Sequence, residues 1–428
     1  MRFVEEEIEV RQNLHRRNTC NAQSGGFKAC NSKLSRWNVL RKVQPADVFV
    51  QQFGKVMQYS IFSQYNDTDV MFFCLCLSIH PNFAPLFEKA IVMTDLSHFD
   101  QDGAGNPNLN IFGLPFEEED ARLVLLPVPW EVTVSYKAGT ARAPEHMMKA
   151  SLQVELFDND TDHVWKQGLF MREVDKKILL KSDYLRKEAE LYINYIAQGE
   201  NVNDNKFMCK ALKEVNQGSE FLNNWVYEQT KDLLNQNKLV GLIGGDHSTP
   251  LGYYKAIAEK YGDFGILQID AHFDLRKAYE GFKYSHASIM YNTLNEVPEM
   301  SKLVQVGIRD YGENEFDYMC QSNGRIVTYF DRDLKERQYE GQTWKQIADE
   351  IVTHLPQNVY ISFDIDGLDP KLCPNTGTPV MGGLETEQAF YLFRTLIKSG
   401  RRFIGFDLNE VGTSTNEWDE NVGARVLY

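Results

Sequence analysis

From residue 122 onward, short apolar runs rich in β-branched residues alternate with stretches of helical pattern. Residues 122–128 (RLVLLPV), 239–243 (LVGLI), 264–269 (FGILQI), 303–308 (LVQVGI), 325–330 (RIVTYF), 359–364 (VYISFD) and 402–408 (RFIGFDL) read as buried strands. Their near-continuous hydrophobicity suits a parallel sheet covered on both faces. Residues 250–261, 344–354 and 385–399 read as helices between them. Strand–helix alternation at this spacing predicts an α/β fold with right-handed crossovers. Residues 160–237 break the rhythm: they are long, polar and helix-favouring. They predict two or three helices on one side of the sheet, an insertion into the catalytic domain expected over 93–428.

The first 92 residues differ in texture. They carry 11 basic and 8 acidic residues, whereas the rest of the chain is strongly acidic. Four of the seven cysteines (Cys20, Cys30, Cys74, Cys76) lie there. No period of 3.6 or 2.0 is sustained, apart from a compact apolar run at 70–77. Two readings stand: a genuine N-terminal appendage, or translated upstream sequence with Met93 as the natural start. Neither assigns chemistry to residues 1–92.

Charge narrows the class of partner. The 428 residues hold 45 Lys/Arg and 60 Asp/Glu, a net charge of −15. That balance disfavours a nucleic-acid or anionic-membrane surface. The longest apolar run, 70–77, is far below the ~20 residues of a spanning helix. Seven cysteines without paired spacing do not form a disulfide framework, so a cytoplasmic location is expected.

The chemistry collects where strands end. In open α/β sheets the working residues sit just past the carboxyl ends of strands. Gly244-Gly245-Asp246-His247-Ser248 follows the 239–243 strand, and its glycines permit a tight turn that presents His247. In Asp270-Ala271-His272-Phe273-Asp274 the i, i+2, i+4 spacing puts Asp270, His272 and Asp274 on one face of an extended segment. Asp364 and Asp366 repeat that spacing before Gly367. Glu410 ends the last strong strand. Carboxylates converging at a buried strand end repel one another and desolvate badly; a cation resolves the conflict. Two His and four Asp are too many donors for one tetrahedral zinc with an open position. They suit two hard or borderline cations that acidify a shared water for hydrolysis.

At these residues the chain resembles the arginase–agmatinase (ureohydrolase) family. The resemblance rests on GGDHS at 244–248, DAHFD at 270–274, SFDIDGLDP at 362–370 and NEV at 409–411, and extends over about residues 113–428. It implies a parallel eight-stranded sheet with helices on both faces, and two divalent ions, usually manganese. It implies hydrolysis of a guanidino carbon with release of urea, and a trimeric or hexameric homo-oligomer. Carried onto this chain, His247, Asp270, Asp274 and Asp364 would hold one ion. Asp270, His272, Asp364 and Asp366 would hold the other. Asp274 would also hydrogen-bond the nucleophile. His286 would shuttle a proton to the leaving amine, and a histidine titrating near pH 7 suits that role. Glu410 would pair with the guanidinium through two parallel hydrogen bonds.

The chain also departs from arginases. Arg276 and Phe282 stand where that family grips the amino-acid head of arginine, and Ala287 replaces a Gly after His286. A small cationic guanidino substrate without that head is therefore expected, agmatine or free guanidine first. Arg276 keeps guanidino acids such as guanidinobutyrate open. The PWEVTVSY loop (129–136) resembles the agmatinase-like branch that includes nickel-dependent guanidine hydrolases, so nickel is the alternative to manganese. Thr133 on that loop is either a substrate-binding hydroxyl or one that structures the loop. Two other classes are a single-zinc deacetylase of related fold and a silent metal-binding protein. The six-donor set argues against the first, and His286 with Glu410 against the second.

Residues 1–92 are expected to be dispensable. A chain starting at Met93 should fold and hydrolyse substrate as the full chain does; insolubility or loss of metal would make the segment part of the domain.

Overall fold

A computed structural model describes residues 48–52, 55–59, 94, 96–159, 161 and 163–428. The chain divides into two units, residues 1–90 and 91–428. In the first, β1 (Val48–Gln52) pairs antiparallel with β2 (Lys55–Tyr59). The rest of 1–92, including the apolar run 70–77, lies outside the described residues.

The second unit is built on one eight-stranded parallel sheet. Its strands are β3 (Leu123–Val128), β4 (Leu169–Met171), β5 (Leu239–Gly244), β6 (Phe264–Ile269), β7 (Met300–Ile308), β8 (Ile326–Phe330), β9 (Asn358–Asp364) and β10 (Arg402–Asn409). Their spatial order is β4-β3-β5-β10-β9-β6-β7-β8. Seven of these follow the apolar runs of the sequence to within a few residues. The eighth, β4, falls inside the segment 160–237, which is therefore not wholly helical. It has three residues and sits at the sheet edge, too short for a periodic signal.

Helices cover both faces. Side chains alternate along each strand, so Val124, Leu126 and Val128 enter one core while Leu125 enters the other. The first core packs against α2 (Lys176–Ala197), α3 (Lys206–Asn235), α4 (Leu251–Tyr261) and α5 (Ile289–Glu296). α2 and α3 are the long helices expected in 160–237, and Asp175 and Asn205 cap their free N–H groups. The second core packs against α1 (Ala143–Ala150), α7 (Asp331–Tyr339), α8 (Trp344–Thr353), α9 (Thr386–Lys398) and α10 (Trp418–Leu427). The short α6 (Glu313–Cys320) lies between β7 and β8 in the chain. Among the described residues no helix is long and apolar enough to cross a membrane.

The four strands that carry the chemical motifs, β5, β10, β9 and β6, are the four central neighbours of the sheet. Register aligns their ends: Asn409 pairs with Asp364, Leu408 with Ile243, and Ile269 with Phe363. One row earlier, the register aligns Asp407, Ser362, Gln268, Gln305 and Thr328 across β10, β9, β6, β7 and β8.

The turn after β5 depends on Gly245. Its N–H donates to Val128 O at 3.1 Å, and its carbonyl accepts from Glu410 N at 2.8 Å. A Cβ there would collide with the Trp130 carbonyl and come within 2.9 Å of Trp130 N. Gly245→Ala should therefore cost about 1–3 kcal/mol through forced backbone shifts, read as a lower Tm.

Candidate active site

The strand ends enclose a cavity of about 150 Å³. Its wall includes His247, His272, Asp274, Arg276, His286, Asp310, Asp364, Asp366 and Glu410. Two potential cation clusters share Asp270: His247, Asp270 and Asp274, and Asp270, His272 and Asp366. His247 Nδ1 lies 3.0 Å from Asp270 Oδ2, 3.0 Å from Asp274 Oδ2 and 3.2 Å from Asp364 Oδ2. His272 Nδ1 lies 3.0 Å from Asp366 Oδ2 and 3.6 Å from Asp270 Oδ1. All six residues expected as ligands thus meet at one place.

The donor chemistry fits divalent cations. Asp270, Asp274, Asp364 and Asp366 are all buried, and His247 Nδ1 is buried without a conventional hydrogen-bond partner. Four carboxylates exceed what two imidazoles can neutralise. Burial disfavours ionisation of Asp364, and the charges of Asp366 and Asp270 add to it, so its pKa is well raised. Burial also pushes Asp270 up, but the adjacent His247 and His272 outweigh it and hold that carboxyl low. For His247, burial opposes protonation, yet the carboxylates of Asp270, Asp274 and Asp364 facing its Nδ1 raise its pKa well above the usual value. Carboxylate oxygens and imidazole nitrogens are the donors that manganese or nickel accepts.

Sequence reading did not identify the groups behind the ligands. His247 Nε2 meets Ser362 Oγ at 2.9 Å; Ser362 Oγ donates to Asp407 Oδ1 at 3.0 Å, and Tyr254 donates to Asp407 Oδ2 at 3.1 Å. These contacts fix the ring and leave Nδ1 toward the carboxylates. Thr328 Oγ1 donates to Gln305 Oε1, Gln305 Nε2 to Gln268 Oε1 at 2.7 Å, and Gln268 Nε2 to Asp270 Oδ2 at 2.7 Å. The available signal was a polar residue inside four of the seven apolar runs: Gln268, Gln305, Ser362 and Asp407.

Glu410 is buried on the cavity wall, and His247 N–H donates to its Oε1 at 3.0 Å. Burial and then the charge of Asp246 raise its pKa well above the carboxylate range. A cationic substrate would reverse that shift. Both Glu410 (φ 59°) and Asp274 (φ 56°) hold left-handed backbone conformations without being glycine. Such strain costs about 1–3 kcal/mol each and clusters at functional sites.

Three expectations are relocated. Thr133 is fully buried behind His286 and is not part of the cavity wall. Its Oγ1 accepts from His286 N at 3.1 Å and lies 3.3 Å from His286 Nδ1. Phe282 is fully buried, with its ring 5.2 Å from that of Tyr192, in the core and off the cavity wall. Arg276 lines the cavity, but its Nε lies 3.3 Å from Glu315 Oε2 and its guanidinium sits 4.7 Å over the Tyr279 ring. A further difference concerns His286. Burial and then the nearby charges of His272 and His247 push its pKa down, to about 3. Both neighbouring charges and burial favour the neutral imidazole.

With this geometry established, the comparisons place the protein: residues 121–428 match the family model of the Arginase family, and the chain belongs to that family. It is an agmatinase-like amidinohydrolase, a hydrolase of amidine C–N bonds. It is 31% identical over 314 residues to the N(1)-aminopropylagmatine ureohydrolase of Thermus thermophilus, covering 73% of this chain and 90% of that one. It is 29% identical over 315 residues to the agmatinase of Proteus mirabilis, covering 72% and 86%. The fold matches the crystal structure of the agmatine ureohydrolase of Thermoplasma volcanium with a TM-score of 0.53 at 22% identity, covering 72% and 88%.

Thr133→Val should lower kcat by roughly tenfold with little change in KM, the effect of losing about one good hydrogen bond that orients His286. Thr133→Ser, which keeps the hydroxyl, should restore most of the rate in the same urea-release assay.

Proposed function

We propose that the protein hydrolyses a small guanidino compound without an α-amino acid head, agmatine or free guanidine first, with two divalent cations per chain. The observation that carries this reading is the buried Glu410 carboxylate on the same 150 Å³ cavity as the two cation clusters. His247, Asp270, Asp274 and Asp364 would hold one cation, and Asp270, His272, Asp364 and Asp366 the other. Manganese is favoured and nickel is the alternative. The cations, when bound, supply a nucleophile from water at neutral pH.

The remaining steps belong to the side chains. Glu410 binds the planar guanidinium, a pairing suited to two parallel hydrogen bonds. Its Oε1 is held by the His247 N–H. Asp274 accepts a hydrogen bond from the attacking water and so aims its lone pair at the guanidino carbon. His286, neutral beforehand, takes at an imidazole nitrogen the proton that the attacking water gives up as the C–O bond forms, and delivers it to the departing nitrogen as the C–N bond breaks. Thr133 keeps the His286 ring in position through its hydroxyl.

Arginine is disfavoured by the lack of a free partner for its α-carboxylate. The Arg276 guanidinium is already engaged by Glu315 and Tyr279. Asp310, on the cavity wall with 70% of its side chain exposed, offers a carboxylate to a second cationic group, as in agmatine. A buried ionic group without a counterpart is costly, so a site lacking that partner rejects the substrate that needs it.

A urea-release screen over guanidino substrates, with manganese and nickel loaded separately, tests the reading. Agmatine or guanidine should give the highest kcat/KM, and elemental analysis should find two ions per chain. Glu410→Ala should abolish turnover of every substrate, whereas Arg276→Ala should change only preference. Arginine as the best substrate, or full activity with one ion, would overturn it.

A further inference from the structure

Arg309, at the end of β7, has no part in the steps above, yet it joins three loops around the cavity. Its backbone N–H donates to Ala271 O at 2.8 Å, and so ties it to the segment carrying Asp270, His272 and Asp274. Its Nη2 donates to Asp366 O at 2.6 Å, to Leu368 O at 3.1 Å and to Val380 O at 3.0 Å. Its Nη1 donates to Gly307 O at 3.0 Å. The guanidinium thus serves four backbone carbonyls and pairs with no carboxylate among the described residues.

The surroundings are shaped for it. Gly382 and Gly383 have φ of +94° and +99°, and a Cβ on Gly383 would lie 2.9 Å from Arg309 Nη2. Both backbone groups of Ala271 are held, since its N–H donates to Asp366 Oδ1 at 3.0 Å while its carbonyl accepts from Arg309. The hydrogen bonds of Arg309 therefore converge on the peptide frame between Asp270, His272 and Asp366. The other cluster shares Asp270 but takes its imidazole from His247, whose ring is fixed by Ser362 and Asp407.

We propose that Arg309 is a positioning residue that fixes the Asp270–His272–Asp366 cluster selectively, by clamping the turn of Asp366 to the strand end of Ala271. The proposal rests on the two-cation reading. A guanidinium fork meets several carbonyls in fixed directions; a lysine ammonium on a flexible stem does not. Removing such an outer partner lowers metal affinity by about 10–100-fold.

The test compares the full chain with Arg309→Met and Arg309→Lys. Each is loaded with manganese, and each ion's affinity is measured by chelator competition with elemental analysis. Arg309→Met should weaken one ion by at least ~10-fold and the other by clearly less. Arg309→Lys should show the same order with a smaller loss. Hydrogen exchange on the metal-free proteins gives a readout independent of ions and turnover. Peptides containing Ala271 and 365–368 should exchange faster in both variants, and peptides around His247 should not. If Arg309→Met does not fold, Arg309→Lys decides by the same two measurements. Unchanged exchange at 365–368, or equal weakening of both ions, overturns the proposal. A wild-type chain that binds a single ion overturns the two-cation reading instead, and the exchange pattern then judges Arg309 alone.

Discussion

Four carboxylates are buried within hydrogen-bonding reach of two imidazoles, and that concentration of negative charge governs the rest of the site. It is tolerable only where positive charge is supplied, and the fold concentrates it at one end of the four central strands. Parallel pairing makes this possible, because every strand then delivers its carboxyl end to the same edge. The order β5-β10-β9-β6 brings together segments that are more than 150 residues apart in the chain, such as His247 and Glu410, whose N–H and carboxylate meet directly. Asp274 and Glu410 adopt left-handed backbone conformations to face the same space. Local strain at these two residues is offset by a fold that over-determines their positions.

The same field shapes the proton chemistry. A histidine placed near this cluster does not keep an ordinary titration range. His247 and His272 are drawn toward protonation by carboxylates, while His286 is driven away from it by burial and by those two rings. Three imidazoles in one cavity thus have separate tendencies because their neighbours differ in charge. Divalent cations in place of the protons on His247 and His272 would keep positive charge beside His286 and preserve the direction of its shift.

The amino-acid sequence made the candidate ligands and most strands legible because both are local signals. An i, i+2, i+4 set at a strand end announces convergence without tertiary knowledge, and seven apolar runs sufficed to call the sheet parallel. What stayed hidden depends on partners. β4 is three residues long and is defined by its pairing with β3. Thr133 could be read as a substrate hydroxyl or a structural one, and only the position of His286, 153 residues away, separates the two. Phe282 aligned with a substrate-binding position, yet its side chain turns into the core beside Tyr192. Position along a motif does not by itself fix the direction of a side chain. Arg276 shows the same limit, since Glu315 and Tyr279 engage its charge.

The polar row beneath the site has a consequence for how the sheet assembles. Strands that are apolar on both faces carry little information about alignment, because sliding one past another by two residues still buries hydrophobic side chains. Asp407, Ser362, Gln268, Gln305 and Thr328 break that degeneracy. Ser362 is hydrogen-bonded to Asp407, and Gln305 to both Gln268 and Thr328. A two-residue slip would strand buried amides and a carboxylate without partners, a penalty of about 1–3 kcal/mol for each group. The row is thus an alignment key for five strands, and it makes the correct meeting of Asp364 and Asp270, two residues further along, a condition of assembly.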